Sequence, residues 1–303
     1  MTDFHSGFIA IVGRPNVGKS TLVNALLGQK VAAVSARAQT TRRRQLGILT
    51  NENAQLIFVD TPGIHTPRHK LGDFLNQEAE ESLDGVDVII FLLDVSADLT
   101  DDDRQIAILL KKATRRTPLI VAANKIDLVK PEALITRLEA IQVLVGKEAQ
   151  FVSISAAQKI NLDQLLGLLI QLCPVRAPDF DEGQVTDLYE RDIAEDLIRE
   201  ACLIRLRDEV PHGIAVRVDE FKERENGMAY IAATIFVERE SQKGIVIGEG
   251  GLMLKEIGSK ARAEIEKMGG RKVFLELRVK TLKDWRDNPS SLNQLGYRTK
   301  KKR

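Results

Sequence analysis

Short apolar runs punctuate the first half of this 303-residue chain: "GFIAIVG" at 7–13, "LIFVDTPGI" at 56–64, "LIVAANKID" at 119–127 and "FVSISAA" at 151–157. The pattern predicts four buried strands. "STLVNALLG" follows the first run with helical apolar spacing and a glycine stop at Gly28. "NLDQLLGLLIQL" predicts another helix, with Asn161 as its cap. The pattern changes in the second half. "DLYERDIAEDLIREACLIRLRDEV" has an amphipathic helical period, and "GIAVRVDEF" (213–221) and "MAYIAATIFVE" (228–238) read as strands around the turn signal "ENG". "GIVIGEGG" leads into "LMLKEIGSKARAEIEKM", expected as a pair of helices broken near Gly258, and "RKVFLELRVK" closes as a strand. Between the halves, "PVRAPDFDEGQVTD" has prolines, a glycine and acids without apolar periodicity, so it reads as a linker. The expected domains are 1–173, a linker at 174–186, and 187–303.

Composition narrows the class. The chain is 44% hydrophobic and 29% charged, as in globular proteins. No apolar run approaches the ~20 residues of a membrane span, and no signal peptide is expected at the N-terminus. Cys173 and Cys202 are too few for a disulfide framework or a cysteine metal cluster, and read as buried or free thiols. The net charge of +1 is uninformative, but its distribution is not. Residues 187–238 carry 7 basic and 13 acidic side chains, a net of −6, whereas 239–303 carry 17 and 8, a net of +9.

The first candidate site is "GRPNVGKS", residues Gly13, Arg14, Pro15, Asn16, Val17, Gly18, Lys19 and Ser20, matching G-x-x-x-x-G-K-[ST] between a strand and a helix. Backbone N–H groups of such a loop wrap a pyrophosphate at the positive end of the helix. Lys19 would reach the β- and γ-phosphates, and the Ser20 hydroxyl, with Thr21 beside it, would meet Mg²⁺. At the end of the second run, Asp60-Thr61-Pro62-Gly63 offers a carboxylate to hold Mg²⁺ through water and a Gly63 amide for the γ-phosphate. Asn124-Lys125-Ile126-Asp127 ends the third. The Asp127 carboxylate has two acceptors that match the N1 and N2 donors of guanine, a pair adenine lacks. Asn124 would brace the loop and Lys125 lie along the ring. At Ser155-Ala156 a backbone N–H can meet guanine O6.

These four motifs, in this order and at strand ends, make residues 7–173 resemble the Ras-like GTPases of the translation-factor class. The resemblance implies an α/β fold with a mostly parallel sheet, binding GTP and GDP. It makes "SARAQTTRRRQLGI" switch I, with Thr41 expected to complete the Mg²⁺ shell and Thr40 as its rival, and residues 64–77 switch II. His65 and His69 are four apart, so a helix would put both on one face, although no third metal ligand is in view; they are expected as solvent-exposed switch residues. In Ras-type enzymes a Gln after the glycine of the second motif orients the attacking water. Here that position is Ile64, which can neither donate nor accept, so slow intrinsic turnover is expected. Part of that class uses the loop asparagine, here Asn16, to bind K⁺, which gives a K⁺ site as an expectation.

The order helix, strand, strand, helix, helix, strand in the second half resembles a type II KH domain, an α+β fold. Gly248-Glu249-Gly250-Gly251 falls on its GxxG loop, which clamps about four nucleotides of a single strand. Ile245, Ile247, Leu254 and Ile257 are expected to line an apolar groove for bases. Lys243, Lys255, Lys260 and Arg262 are expected to carry the phosphate attraction, together with the tail "RTKKKR". Glu249 departs from the basic or polar residue usual there. A GTPase followed by this module, with "QKVAAVSARAQTTR", "IGSKAR", "VKTLKDWR" and "LGY", resembles the Era-type GTPases over nearly the whole chain. That resemblance implies a cytoplasmic assembly factor of the small ribosomal subunit. Such proteins bind the 3′ end of small-subunit ribosomal RNA and use GTP as a timer. No DNA partner is expected, and the basic tail adds peripheral association with the cell membrane as a further expectation. Service to RNA modification or to the large subunit is one alternative. A non-enzymatic RNA-binding scaffold is the other; intact Lys19, Asp60 and Asp127 argue for turnover.

Overall fold

The computed structural model describes residues 3–35, 40–113, 117–146, 149–224 and 227–297. The basic tail therefore lies outside the described residues. Two compact units are present. The first contains most of the chain up to Asp187. The second contains Leu188 onward together with Pro67–Phe74 and a short stretch starting at Ala33.

The first unit is built on a six-stranded sheet of β1 (His5–Val12), β2 (Gln45–Thr50), β3 (Ala54–Asp60), β4 (Val88–Asp94), β5 (Leu119–Asn124) and β6 (Gln150–Ser153), in the order β2-β3-β1-β4-β5-β6. Only β2 runs antiparallel. The two-residue period of a strand divides its side chains between two cores. Ile9 and Ile11 join Leu22, Val23 and Leu26 of α1 (Lys19–Leu27) and Leu165 and Leu169 of α5 (Leu162–Leu172). Ala10 and Val12 face Ala79 of α2 (Lys70–Glu81), Ile106 and Leu110 of α3 (Asp101–Ala113) and Ile141 of α4 (Pro131–Val145). Helices on both faces explain why the strands read as unbroken apolar runs. Every parallel strand then delivers its C-terminal end to one edge, where open α/β sheets bind ligands.

Segment 174–187 packs onto this unit. Thr186 bridges to Gly47 and Val175 to His5, and the Gln55 side chain accepts from the amides of Asp179 and Phe180 at 2.8 and 2.9 Å. Asn161 does stand at the N-cap of α5, but its side chain makes no cap bond: Asn161 Nδ2 donates to Ser153 O at 2.7 Å.

The second unit has α6 (Glu190–Arg205), β7 (Ala215–Glu223), β8 (Ala229–Val237), α7 (Glu240–Ile247), α8 (Leu252–Gly269), β9 (Val273–Thr281) and α9 (Pro289–Gln294). Its sheet order is β7-β8-β9, with β7 and β8 antiparallel and β8 and β9 parallel. One sheet face packs on α6 and α8 through Leu197, Ile198, Ile231, Ile257 and Ile265. The expected break at Gly258 is absent: α8 is continuous from Leu252 to Gly269, and the interruption falls earlier, at the GxxG loop. Gly258 faces Leu277 from inside the helix, where a Cβ would lie 3.4 Å from Leu277 Cδ1, at van der Waals contact. Trp285, fully buried, donates from Nε1 to Gly213 O at 2.9 Å and stacks on Tyr297. Within the same unit, Asp287 accepts the Lys70 amide at 3.1 Å and lies 2.7 Å from His69 Nδ1. Leu71 N–H reaches Arg286 O at 3.0 Å, and Phe74 meets Tyr297 edge to face.

Candidate functional site

The phosphate loop leaves β1 and enters α1. Its turn needs a left-handed backbone at Gly18, where φ is +104° and a Cβ would sit 2.4 Å from Asn124 Nδ2. No side chain fits both demands. Lys19 is buried and donates from Nζ to Gly13 O at 3.0 Å and to Arg14 O at 3.1 Å. Burial lowers its pKa to about 8, against the pull of the nearby Asp60 carboxylate; Arg14 lowers it further. A phosphate in the loop would supply the negative charge that this ammonium lacks.

Beside Lys19, Ser20 Oγ donates to Asp60 Oδ2 at 2.8 Å, and Thr41 Oγ1 donates to the same atom at 3.2 Å. The two hydroxyls are 2.9 Å apart, and Gln45 Nε2 also donates to Asp60 Oδ2 at 3.3 Å. Asp60 Oδ1 is buried without a partner, and burial pushes this carboxyl's pKa up. Two hydroxyls on a carboxylate whose other oxygen is unpartnered form a hard oxygen set that fits Mg²⁺, which takes few protein ligands and keeps waters. Thr41 thus lies on the Asp60 cluster. Thr61 Oγ1 donates to Ile11 O at 2.7 Å, fixing the strand end, and Pro62 and Gly63 are buried beside it. Ile64 N–H reaches Gly13 O at 3.3 Å, while the Ile64 side chain packs into the apolar cluster that holds Ala10 and Val12.

At the other end, Asn124 Nδ2 donates to Val17 O at 2.7 Å and its Oδ1 accepts the Ala156 amide at 2.9 Å. Lys125 Nζ donates to Asn16 O at 2.9 Å and to Asp94 Oδ2 at 2.6 Å. Asp127 is exposed at this edge. Ser155 N–H is given to Ile160 O at 3.2 Å, so both amides expected near guanine O6 already have acceptors in this structure. Pro15 and Thr21 are half-buried and Asn16 is exposed, with φ +66°. Arg14 bonds Asp103 Oδ2 at 3.2 Å and lies 3.7 Å from Asp94 Oδ2. The Asp94–Asp103 pair was missed in the sequence. Its signal was present: "VIIFLLD" at 88–94 ends an apolar run in aspartate, as "LIFVD" does.

His65 and His69 do not share a helical face, because α2 begins only at Lys70. Neither is fully exposed; His65 Nδ1 lies 2.9 Å from Gly63 O, and His69 engages Asp287. Among the described residues, no cluster of three His, Cys, Asp or Glu could hold a metal.

In the second unit a groove of about 420 Å³ opens between α8 and β9. Gly251, Leu254, Lys255, Gly258, Ser259 and Arg262 line one side, and Leu275 and Leu277 the other. The helix residues are one stripe at helical spacing, and the two leucines are alternate positions on a strand. At its mouth, Gly248 (φ +73°), Gly250 (φ +57°) and Gly251 (φ +82°) make the left-handed turn. An apolar floor with two cations on its rim suits stacked bases and phosphates.

A family model described as a 50S ribosome-binding GTPase matches residues 8–125, and one for a KH domain matches 209–286. GTPase Era of Staphylococcus epidermidis is 42% identical over 98% of both chains. GTPase Era of Lacticaseibacillus paracasei is 46% identical over 99% of both. The chain belongs to the Era family of GTPases. A crystal structure of Era with MgGDPNP and nucleotides 1506–1542 of 16S ribosomal RNA superposes with a TM-score of 0.92 at 40% identity, covering 97% of this chain and 99% of that one. An Aquifex aeolicus Era variant bound to GDP and aluminium fluoride gives 0.91 at 40% identity, with the same coverage.

Within this Era chain the groove differs in part from expectation. Leu254, Lys255 and Arg262 line it, but Ile257 is wholly buried in the core. Ile245 is exposed on α7 and Ile247 half-buried; neither reaches the groove, and Leu275 and Leu277 take their place. Lys260 also lies off the lining, and Lys243 pairs with Glu240 at 2.9 Å. Glu249 is exposed on the turn.

Proposed function

We propose that this chain binds and hydrolyses GTP with Mg²⁺, binds small-subunit ribosomal RNA near its 3′ end, and acts in small-subunit assembly with the nucleotide gating the RNA. The observation that carries this reading is the groove at the GxxG loop, rimmed by Lys255 and Arg262, in a chain whose strand ends assemble Lys19, Ser20, Thr41 and Asp60. The Era structure cited above held a GTP analogue, Mg²⁺ and a 16S RNA fragment together. Ser20, Thr41 and Asp60 would hold the Mg²⁺, which neutralises phosphate charge. Asp127 would select guanine, with Asn124 bracing the loop and Lys125 lying along the ring.

Turnover is slow in this reading, because Ile64 is turned into the apolar core and cannot orient water. K⁺ held at Asn16 would supply part of the missing charge stabilisation; equal turnover after exchange of K⁺ for Na⁺ would remove it. The protein works in the cytoplasm, where ribosomes assemble. Among the described residues no helix is long and apolar enough to cross a membrane. The basic tail is the segment that would serve peripheral membrane association.

Gating has a physical route. Pro67–Phe74, directly after the Asp60–Gly63 motif, belongs to the second unit and is held there by Asp287 and Arg286. Movement of that motif on γ-phosphate binding is thereby felt at those contacts. The RNA assignment is tested by fluorescence anisotropy with a 3′-end RNA and a scrambled control at equal salt. Lys255→Glu with Arg262→Glu should weaken the specific RNA at least tenfold. An unchanged affinity would place the RNA elsewhere.

A further inference from the structure

The outer face of the β7-β8-β9 sheet carries a cluster that the core does not need. Tyr230 and Phe274 are register partners on β8 and β9, and their rings stack 5.9 Å apart at 19°. Arg224, whose amide closes the β7–β8 turn on Met228 O, places its guanidinium 5.0 Å from the Tyr230 centroid and 5.3 Å from that of Phe274. Tyr230 Oη donates to Glu276 Oε2 at 2.9 Å. Phe274 remains 49% exposed. The core of this unit lies on the other sheet face, with Ile231 and Val273. A large ring left half in water beside a cation gains little from burial, and its exposed part offers a π surface.

Phe274 adjoins the groove residue Leu275 on β9, which is the edge of the sheet. Successive strand residues point to opposite faces, so one step along β9 passes from groove floor to aromatic layer. The acids nearby are matched: Glu276 pairs with Arg278 at 2.6 Å, Glu223 with Arg271 at 3.2 Å, and Glu220 with Lys222. The layer therefore suits a flat base better than a phosphate. A KH groove holds about four nucleotides, and base-on-aromatic stacking tolerates any base. We propose that Arg224, Tyr230 and Phe274 form a stacking subsite for a base of the same RNA strand just outside the groove. This rests on the RNA-binding reading of the groove.

The test uses the full chain with single-stranded RNAs of roughly four and ten nucleotides from the small-subunit 3′ end, the longer one also carrying 2-aminopurine at each flanking position in turn. Phe274→Ala should weaken the longer RNA about 5- to 150-fold, the range expected for one stacked base, and leave the shorter one nearly unchanged. Phe274→Trp should restore binding. The 2-aminopurine at one flanking position should be quenched by the wild type and not by Phe274→Ala. Thermal melting checks that the variants are folded. Equal weakening of both RNAs, or no weakening of the longer one, overturns the subsite while leaving the groove reading intact. Failure of the wild type to bind either RNA overturns both.

Discussion

In the proposed reading Asp127 and Lys19 would meet opposite ends of a guanine nucleotide, so changes at the two should fail differently. Asp127→Asn removes the double acceptor for guanine N1 and N2. Hydrogen bonds to a charged group are worth about 1.5–3 kcal/mol each, so GDP affinity should fall roughly 10²- to 10⁴-fold while xanthosine diphosphate gains, as the new amide can donate to its O2. Titration with fluorescent nucleotide analogues reads both; an unchanged preference for guanine would refute the role. The two cysteines give a prediction of another kind. Burial pushes Cys173 and Cys202 up to about 12 each, from an ordinary 9.0. Both thiols should resist alkylation at pH 8 in the native chain and react once it is unfolded; rapid native labelling would contradict their burial. The sign of the linkage follows: with folded values raised, their contribution is complete below pH 9 and declines as pH rises toward 12. At this scale the nucleotide motifs were legible because the chemistry fixes residue type and spacing together. Ile257 was misplaced because an apolar side chain looks the same in a core and in a groove, and only the packing of α8 separates them.

The elements were legible where pattern and length agreed. The long amphipathic stretch became α6, and the apolar runs became β1, β3, β5 and β6. Gly258 reads as a breaker because glycine lowers helix propensity, whereas α8 runs through it unbroken from Leu252 to Gly269. β2 was hidden in the stretch read as switch I; it stands at the end of the strand order, beside β3, with an isolated bridge from Gly47 to Thr186. In the proposed reading the GxxG turn is the element on which RNA binding would depend. At Gly248 a Cβ would lie 2.7 Å from Met253 Cβ, at a φ of +73°. Strain of this kind costs on the order of 1–3 kcal/mol. Gly248→Ala should therefore lower RNA affinity tenfold or more by anisotropy. Phosphate release without RNA should stay at the wild-type rate; a parallel loss of both would mean the turn supports the fold rather than the groove.

For the whole molecule, the proposed gating would run through Pro67–Phe74, the segment that follows the Asp60–Gly63 motif and belongs to the second unit. Burial alone would raise the Asp287 carboxyl, but the Lys70 amide and the His69 ring outweigh it and hold it below the usual carboxylate range. A depressed carboxyl contributes stability above its ordinary pKa, and that contribution is lost as pH falls through the depressed value. The contact is thus intact at neutral pH. Asp287→Ala should leave GDP binding unchanged and reduce the effect of nucleotide on RNA affinity; an unchanged effect would put the coupling elsewhere. This connection was not legible in the sequence, since His69 and Asp287 are 218 positions apart and share no motif. The most direct test of the account measures the affinity of a short RNA ending in the small-subunit 3′ sequence, first with GDP and then with a non-hydrolysable GTP analogue. Tighter binding in the GTP state for this RNA and not for a scrambled one, with an equal reciprocal shift in nucleotide affinity, is the expected result. Equal weak binding of both RNAs in both states would contradict it.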